Sequence, residues 1–99
     1  VIVIVLNNGM LGMVAQWQRM FYKGRYSATR LGRSPDFVKL ARAYGADAER
    51  VESLDQLSNV LRRAASSDVT TVIDVPIHPE ENVLPMVPPG KSIDEMILT

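Results

Sequence analysis

The chain opens with VIVIVL, six apolar residues of which five are β-branched, and this run limits the fold more than any other feature. β-Branched side chains are stiff at χ1 and suit the pleated backbone of a strand. A strand with one face in water alternates apolar and polar residues. This one has no polar position, the pattern of a strand covered on both faces of a parallel sheet. Residues 1–6 are therefore expected to be a central strand. Because the first residue already lies in that strand, the chain is expected to be a piece of a longer polypeptide.

The rest alternates helix and strand signals. Met10, Met13, Val14, Trp17, Met20 and Phe21 recur at steps of three and four, which lays them along one helix face ending near Lys23 and Gly24. Residues 24–33 have no clear period but carry Tyr26 and Leu31, so an ordered loop is expected. Ser34, Pro35 and Asp36 read as cap, first helical position and dipole partner of a second helix. Its buried stripe would be Phe37, Leu40, Ala41 and Tyr44, with Gly45 as the stop. Residues 48–52 form a short strand candidate. Ser53 and Gln56 then make a capping-box pattern for a helix burying Leu54, Leu57, Leu61 and Ala64, with Arg62 and Arg63 near its end. Residues 69–75 are a second β-branched strand, ended by Pro76. The stretch PIHPEENVLPMVPPG excludes a helix or central strand, and SIDEMIL allows one last helical turn, so residues 76–99 form a proline-rich loop and tail. Parallel strands joined by right-handed crossovers imply an α/β fold, a three-layer parallel sheet with helices on both faces.

Composition narrows the functional classes. Arg19, Lys23, Arg25, Arg30 and Arg33 precede the first acid, while from Asp36 onward six basic residues face eleven acidic ones. The whole is neutral, which gives no sign of a nucleic-acid partner. The basic third is expected to be a solvated face or an intramolecular charge match, with a phosphate or partner surface as the other possibility. There is no cysteine, so neither a disulfide nor a thiolate metal site can form. His78 is the only histidine and has no ligand at metal spacing; it is expected in a loop, with Glu80 and Glu81 solvated. No apolar run approaches the ~20 residues that span a bilayer, so no membrane partner is expected. Asp74 interrupts an apolar strand and is expected to be a satisfied edge residue rather than a site carboxylate.

Ligands of parallel α/β sheets bind at the carboxyl ends of strands, and there this chain places Leu6, Asn7 and Asn8. An amide oxygen beside the free N–H groups of a helix start can complete the oxygen shell of a magnesium ion that also holds phosphate. Gly9 and Gly12 would let the backbone approach that phosphate. Asn and Gly are equally the usual residues of a simple turn or cap, so spacing alone leaves both readings open. No Walker or dinucleotide-binding glycine pattern is present.

The run IVLNNGMLGMVAQWQRMFY, with DFVKLARAYG and ENVLPMVPPG, resembles the C-terminal end of the large catalytic subunit of acetohydroxyacid (acetolactate) synthases, over essentially the whole chain. The double Asn is similar to the closing half of that family's thiamine diphosphate motif, whose opening Gly-Asp-Gly would lie upstream. The resemblance implies part of a thiamine diphosphate-binding domain, with residues 7–13 (Asn7, Asn8, Gly9, Met10, Leu11, Gly12, Met13) at the cofactor. It implies Asn8 as a Mg²⁺ ligand and the Met10 backbone carbonyl as a second. Met13 and Trp17, in the stretch M-V-x-Q-W, would border the substrate channel, while Met20 and Phe21 read as packing.

The same resemblance implies condensation of pyruvate with pyruvate or 2-oxobutyrate, with loss of carbon dioxide, on the way to branched-chain amino acids. No catalytic side chain of its own is expected here, because the family's activating glutamate lies in another domain of a neighbouring subunit, and the isolated chain is expected to be inactive. Expected partners are the 2-oxo acids, the rest of the polypeptide, a homodimer or tetramer, and a regulatory subunit. FAD is possible in the full-length enzyme, with no site for it visible here. The expected location is the cytoplasm in a bacterium or archaeon and an organelle in a eukaryote. Two rivals are another thiamine diphosphate carboligase or decarboxylase of the same superfamily, and a non-catalytic α/β binding module whose Asn pair caps a helix.

Overall fold

A computed structural model describes residues 1–99. The elements run β1 (Ile2–Asn7), α1 (Gly12–Phe21), α2 (Phe37–Ala43), β2 (Asp47–Arg50), α3 (Leu54–Ala65), β3 (Thr71–Pro76) and a short 3-10 turn (Ile93–Glu95). The three strands are parallel in the order β1-β3-β2, with Ile2 opposite Thr71 and Asp47 also opposite Thr71. The connection from β1 to β2 crosses the sheet in one direction and that from β2 to β3 returns, so two right-handed crossovers place their helices on opposite faces. Ile73 and Asp74, adjacent on β3, point to those two faces. Ile73 packs with Val51 and Val60, backed by Leu57 and Leu61 of α3. Asp74 lines a groove with Val38, Lys39 and Arg42 of α2. The fold is the three-layer α/β arrangement expected.

Several local expectations need correction. β3, not β1, is the central strand, and β1 is an edge whose apolar residues are largely exposed. The VIVIVL pattern reports a strand suited to cover on both sides, and within this chain β1 has one neighbour only. α2 is capped by Asp36, which accepts the Lys39 N–H at 3.0 Å, rather than by Ser34. That places Tyr44 at the C-cap and 85% exposed, outside the buried stripe; the face turned inward centres on Ala41. Leu54 is 83% exposed, because as the first residue of α3 it precedes the turn that meets the sheet. The Ser53 cap is as expected: its hydroxyl accepts the Gln56 N–H at 3.2 Å, and the Gln56 side chain reaches back to the Glu52 N–H at 2.7 Å. SIDEMIL contributes the single 3-10 turn, and Met86 pairs with Ile97 through two backbone hydrogen bonds.

Candidate cofactor site

The turn from β1 into α1 is built by the two asparagines on each other's flank. Asn7 Oδ1 accepts the Gly9 N–H at 3.2 Å and Asn8 Oδ1 accepts the Met10 N–H at 3.0 Å, two successive Asx turns. Gly9 takes the left-handed backbone that this sequence of turns needs, with φ of 66°. Gly12 leaves room for the Asn8 amide: a Cβ there would sit 2.6 Å from Asn8 Nδ2. The loop 24–33 then braces the turn. Leu11 N–H donates to the Thr29 carbonyl and Leu31 N–H to the Gly9 carbonyl, so Met10 and Arg30 face each other as an antiparallel bridge. This bridge delays the helix, which starts at Gly12 and not at Met10.

What the turn leaves free is as specific as what it uses. The Met10 carbonyl accepts no hydrogen bond within the chain, and the N–H groups of Gly12, Met13 and Val14, the first turn of α1, have no acceptor in it. Asn8 Oδ1 keeps a second lone pair. Asn8, Gly9 and Met10 line a groove of about 300 Å³ with Tyr26, Arg30, Pro79 and Glu80. The Arg30 guanidinium lies 5.6 Å above the Tyr26 ring, and none of the five basic residues that precede Asp36 takes part in an ion pair. The intramolecular charge match is therefore not realised, which leaves a solvated face or a phosphate or partner surface as the readings of that basic third. Leu11, placed at the cofactor by resemblance, turns its N–H to Thr29 and is half-exposed.

The Met13–Trp17 face of α1 is open. Met13 is 46% and Trp17 41% exposed, and Trp17 meets Phe21 edge to face at 6.5 Å. The side of α1 buried within the chain is instead Ala15 and Gln16. The burial of Gln16 was not expected from the sequence; the signal was a polar residue three after Met13 and four before Met20, at the border of the apolar stripe. Asp74 is a satisfied carboxylate, as expected, but on the central strand and not at an edge. It accepts from Asn7 Nδ2 at 3.0 Å and from Arg50 Nη1 at 3.2 Å, and so joins the ends of all three strands. This link fixes which way the Asn7 amide faces. His78 is exposed in the loop after β3, its Nδ1 accepting the Glu80 N–H at 3.2 Å.

The donor set fits a magnesium site in part. Asn8 Oδ1 and the Met10 carbonyl are neutral oxygens of the type Mg²⁺ takes, but no group of three His, Asp or Glu residues here could hold a metal alone. Anionic ligands would have to come from a cofactor diphosphate and from outside this chain. No helix is long and apolar enough to cross a membrane.

Comparison with known proteins agrees with this layout. The family described as thiamine pyrophosphate enzyme, C-terminal TPP binding domain, matches residues 1–75. A probable acetolactate synthase large subunit of Methanocaldococcus jannaschii is 43% identical over 97 residues, 98% of this chain and 16% of that protein. The acetolactate synthase isozyme 2 large subunit of Escherichia coli is 42% identical over 95 residues, 96% of this chain and 17% of that protein. Among solved structures, a thiamine diphosphate-dependent 4-hydroxybenzoylformate decarboxylase of Rhodococcus jostii superposes with a TM-score of 0.71 at 27% identity, covering 79% of this chain and 15% of that one. The chain thus spans about a sixth of the length of the relatives it matches. By its sheet, its strand-end turn and this match, the chain belongs to the family of C-terminal thiamine pyrophosphate-binding domains of thiamine pyrophosphate enzymes.

Proposed function

We propose that this chain is the part of an acetolactate synthase large subunit that holds the diphosphate and metal end of thiamine diphosphate. The observation that carries the reading is the free set at the end of β1: the Met10 carbonyl, the Asn8 amide oxygen and three unpaired N–H groups of α1, gathered in one turn. Asn8 Oδ1 and the Met10 carbonyl would hold Mg²⁺. The α1 amides, at the positive end of the helix dipole, would face the diphosphate oxygens. Asn7, Gly9 and Gly12 shape the turn, and Leu11 anchors it to Thr29. Bound thiamine diphosphate supplies the carbon nucleophile that lets a 2-oxo acid lose carbon dioxide.

The open α1 face gives the reading its substrate side. Met13 and Trp17 present apolar surface next to the cofactor turn, suited to the side chain of pyruvate or 2-oxobutyrate. The relatives named acetolactate synthase favour this condensation over a simple decarboxylation such as that of the Rhodococcus protein. The remaining metal ligands and the glutamate that activates the cofactor would come from protein outside this chain.

The test is Trp17→Leu in the full-length enzyme, supplied with pyruvate and 2-oxobutyrate in competition. Trimming the indole reshapes an apolar wall without touching the metal. The product ratio should shift by about 1 to 3 kcal/mol, the scale of methylene-sized discrimination, while cofactor half-saturation stays constant. A constant product ratio with weakened cofactor binding would make Trp17 a structural residue and remove the substrate side of the reading. Release of carbon dioxide without carbon–carbon bond formation would replace the synthase by a decarboxylase.

A further inference from the structure

Helix α1 is held differently from the other two. α2 packs against β2 and β3, and α3 against β3, through apolar contacts such as Val60 with Ile73. α1 is tied to loops by polar side chains. Gln18 bonds to the Ser27 carbonyl and to the Thr29 hydroxyl, and Arg19 Nη1 donates to the Tyr26 hydroxyl at 3.3 Å.

The deepest of these ties is Gln16, 1% exposed. Its Oε1 accepts the Val83 N–H at 2.7 Å, while its Nε2 donates to the Val83 carbonyl at 3.0 Å and to Met86 Sδ at 3.5 Å. One side-chain amide thus makes both hydrogen bonds that a neighbouring strand would make, with a backbone 67 residues away. One turn further on, Arg19 Nη2 donates to the Glu80 carbonyl at 3.4 Å and to Asn82 Oδ1. The segment so captured has no helix or strand of its own; the His78 turn holds its start, the Met86–Ile97 bridge holds its end, and these bonds tie it to α1. Pro79 and Glu80, at its start, are a wall of the groove that holds Asn8, Gly9 and Met10.

We propose that Gln16 is a positioning residue for the cofactor groove: by clasping Val83 it fastens residues 79–86 across α1 and fixes the wall that Pro79 and Glu80 give to the groove of Asn8 and Met10. The proposal rests on the reading of that groove as the diphosphate end of the site. A clasp of this kind is distinguishable from simple packing, because methionine fills nearly the same volume as glutamine but can make neither backbone hydrogen bond.

The experiment uses the full-length enzyme, wild type against Gln16→Met and Gln16→Ala, with two readouts. Hydrogen exchange of the peptide containing Val83 reports the clasp, and should quicken about tenfold or more in both variants. Half-saturation by thiamine diphosphate at fixed Mg²⁺ reports the groove, and should rise about fivefold or more, with kcat at saturating cofactor within about twofold of wild type. If Gln16→Met exchanges and binds like wild type, Gln16 only fills space and the proposal is wrong. It is equally wrong if exchange quickens but half-saturation does not move. A wild-type enzyme that binds no thiamine diphosphate overturns the cofactor reading and the groove-wall role with it, and the exchange rates alone still decide whether Gln16 clasps the segment.

Discussion

Asn7 and Asn8 are chemically identical neighbours with different surroundings, and the difference sets their roles. Asn7 donates an amide hydrogen to Asp74 and accepts the Gly9 N–H, which ties its side chain to the sheet. Asn8 accepts the Met10 N–H in the same way but its Nδ2 is not tied to the sheet, so its oxygen can turn a lone pair toward a cation. Asp74→Ala should therefore loosen Asn7 and leave Asn7 Nδ2 and Arg50 Nη1 without their acceptor, destabilising the protein by about 1 to 3 kcal/mol, measured by denaturant unfolding. Gly12→Ala separates the site from the fold. The new methyl would lie 2.6 Å from Asn8 Nδ2, so the Asn8 amide must shift from its present position. Alanine also favours helix over glycine by about 1 kcal/mol. In the full-length enzyme the melting temperature should hold or rise while cofactor half-saturation rises several-fold; an unchanged half-saturation would show that Asn8 need not stay where this turn puts it.

At the level of elements, α2 and α3 are started by side-chain caps of different titration behaviour. The Asp36 carboxyl is held below its ordinary value of 3.8 chiefly by the Lys39 backbone N–H. A carboxylate whose pKa is lower in the folded state contributes stability above its unfolded pKa and loses it as pH falls through the lower folded value. The Lys39 amide should thus stay protected near neutrality and lose protection on acidification below about 3.8, and Asp36→Asn should abolish that pH dependence while keeping the cap. Ser53 does not titrate, and Ser53→Ala should cost about 1 kcal/mol at any pH, read as a shift in the denaturant midpoint. The elements themselves were legible in the sequence because they rest on period and on caps, both local. The three strands, the three helices and the Asn-Asn turn all follow from such signals. The place of β1 in the sheet was not legible, because strand order depends on which elements are present to pair. Nor was the Gln16 clasp, whose partner lies 67 residues away in a proline-rich stretch with no period to read. Leu54 and Tyr44 were misplaced for a third reason: both satisfy a helical period but sit at helix ends, beyond the part of the helix that meets the sheet.

The whole molecule is a surface waiting for cover. A folded monomer of its 11.0 kDa ordinarily exposes about 5,600 Å², whereas this chain exposes 7322 Å². Its Cα radius of gyration is 16.8 Å where about 12.6 Å is usual for this length. Exposed apolar side chains contribute to it, and two groups of them adjoin the cofactor turn: those of β1 and those of the Met13–Trp17 face of α1. Patches of that kind mark interfaces, so the 99-residue chain on its own should self-associate, seen as concentration-dependent sedimentation; a clean monomer at high concentration would contradict this. Both groups flank the cofactor turn, which fits a site completed by the rest of the polypeptide and a neighbouring subunit. On the reading proposed above, the end of β1 binds the metal and diphosphate of thiamine diphosphate through Asn8. The most direct test of that binding is the half-saturation of the full-length Asn8→Ala enzyme by thiamine diphosphate at fixed and then at excess Mg²⁺. Half-saturation should rise at least about tenfold, or 1.4 kcal/mol, partly reversed by excess metal and cofactor. A half-saturation equal to that of the wild type would mean that the Asn-Asn-Gly sequence is a turn and nothing more.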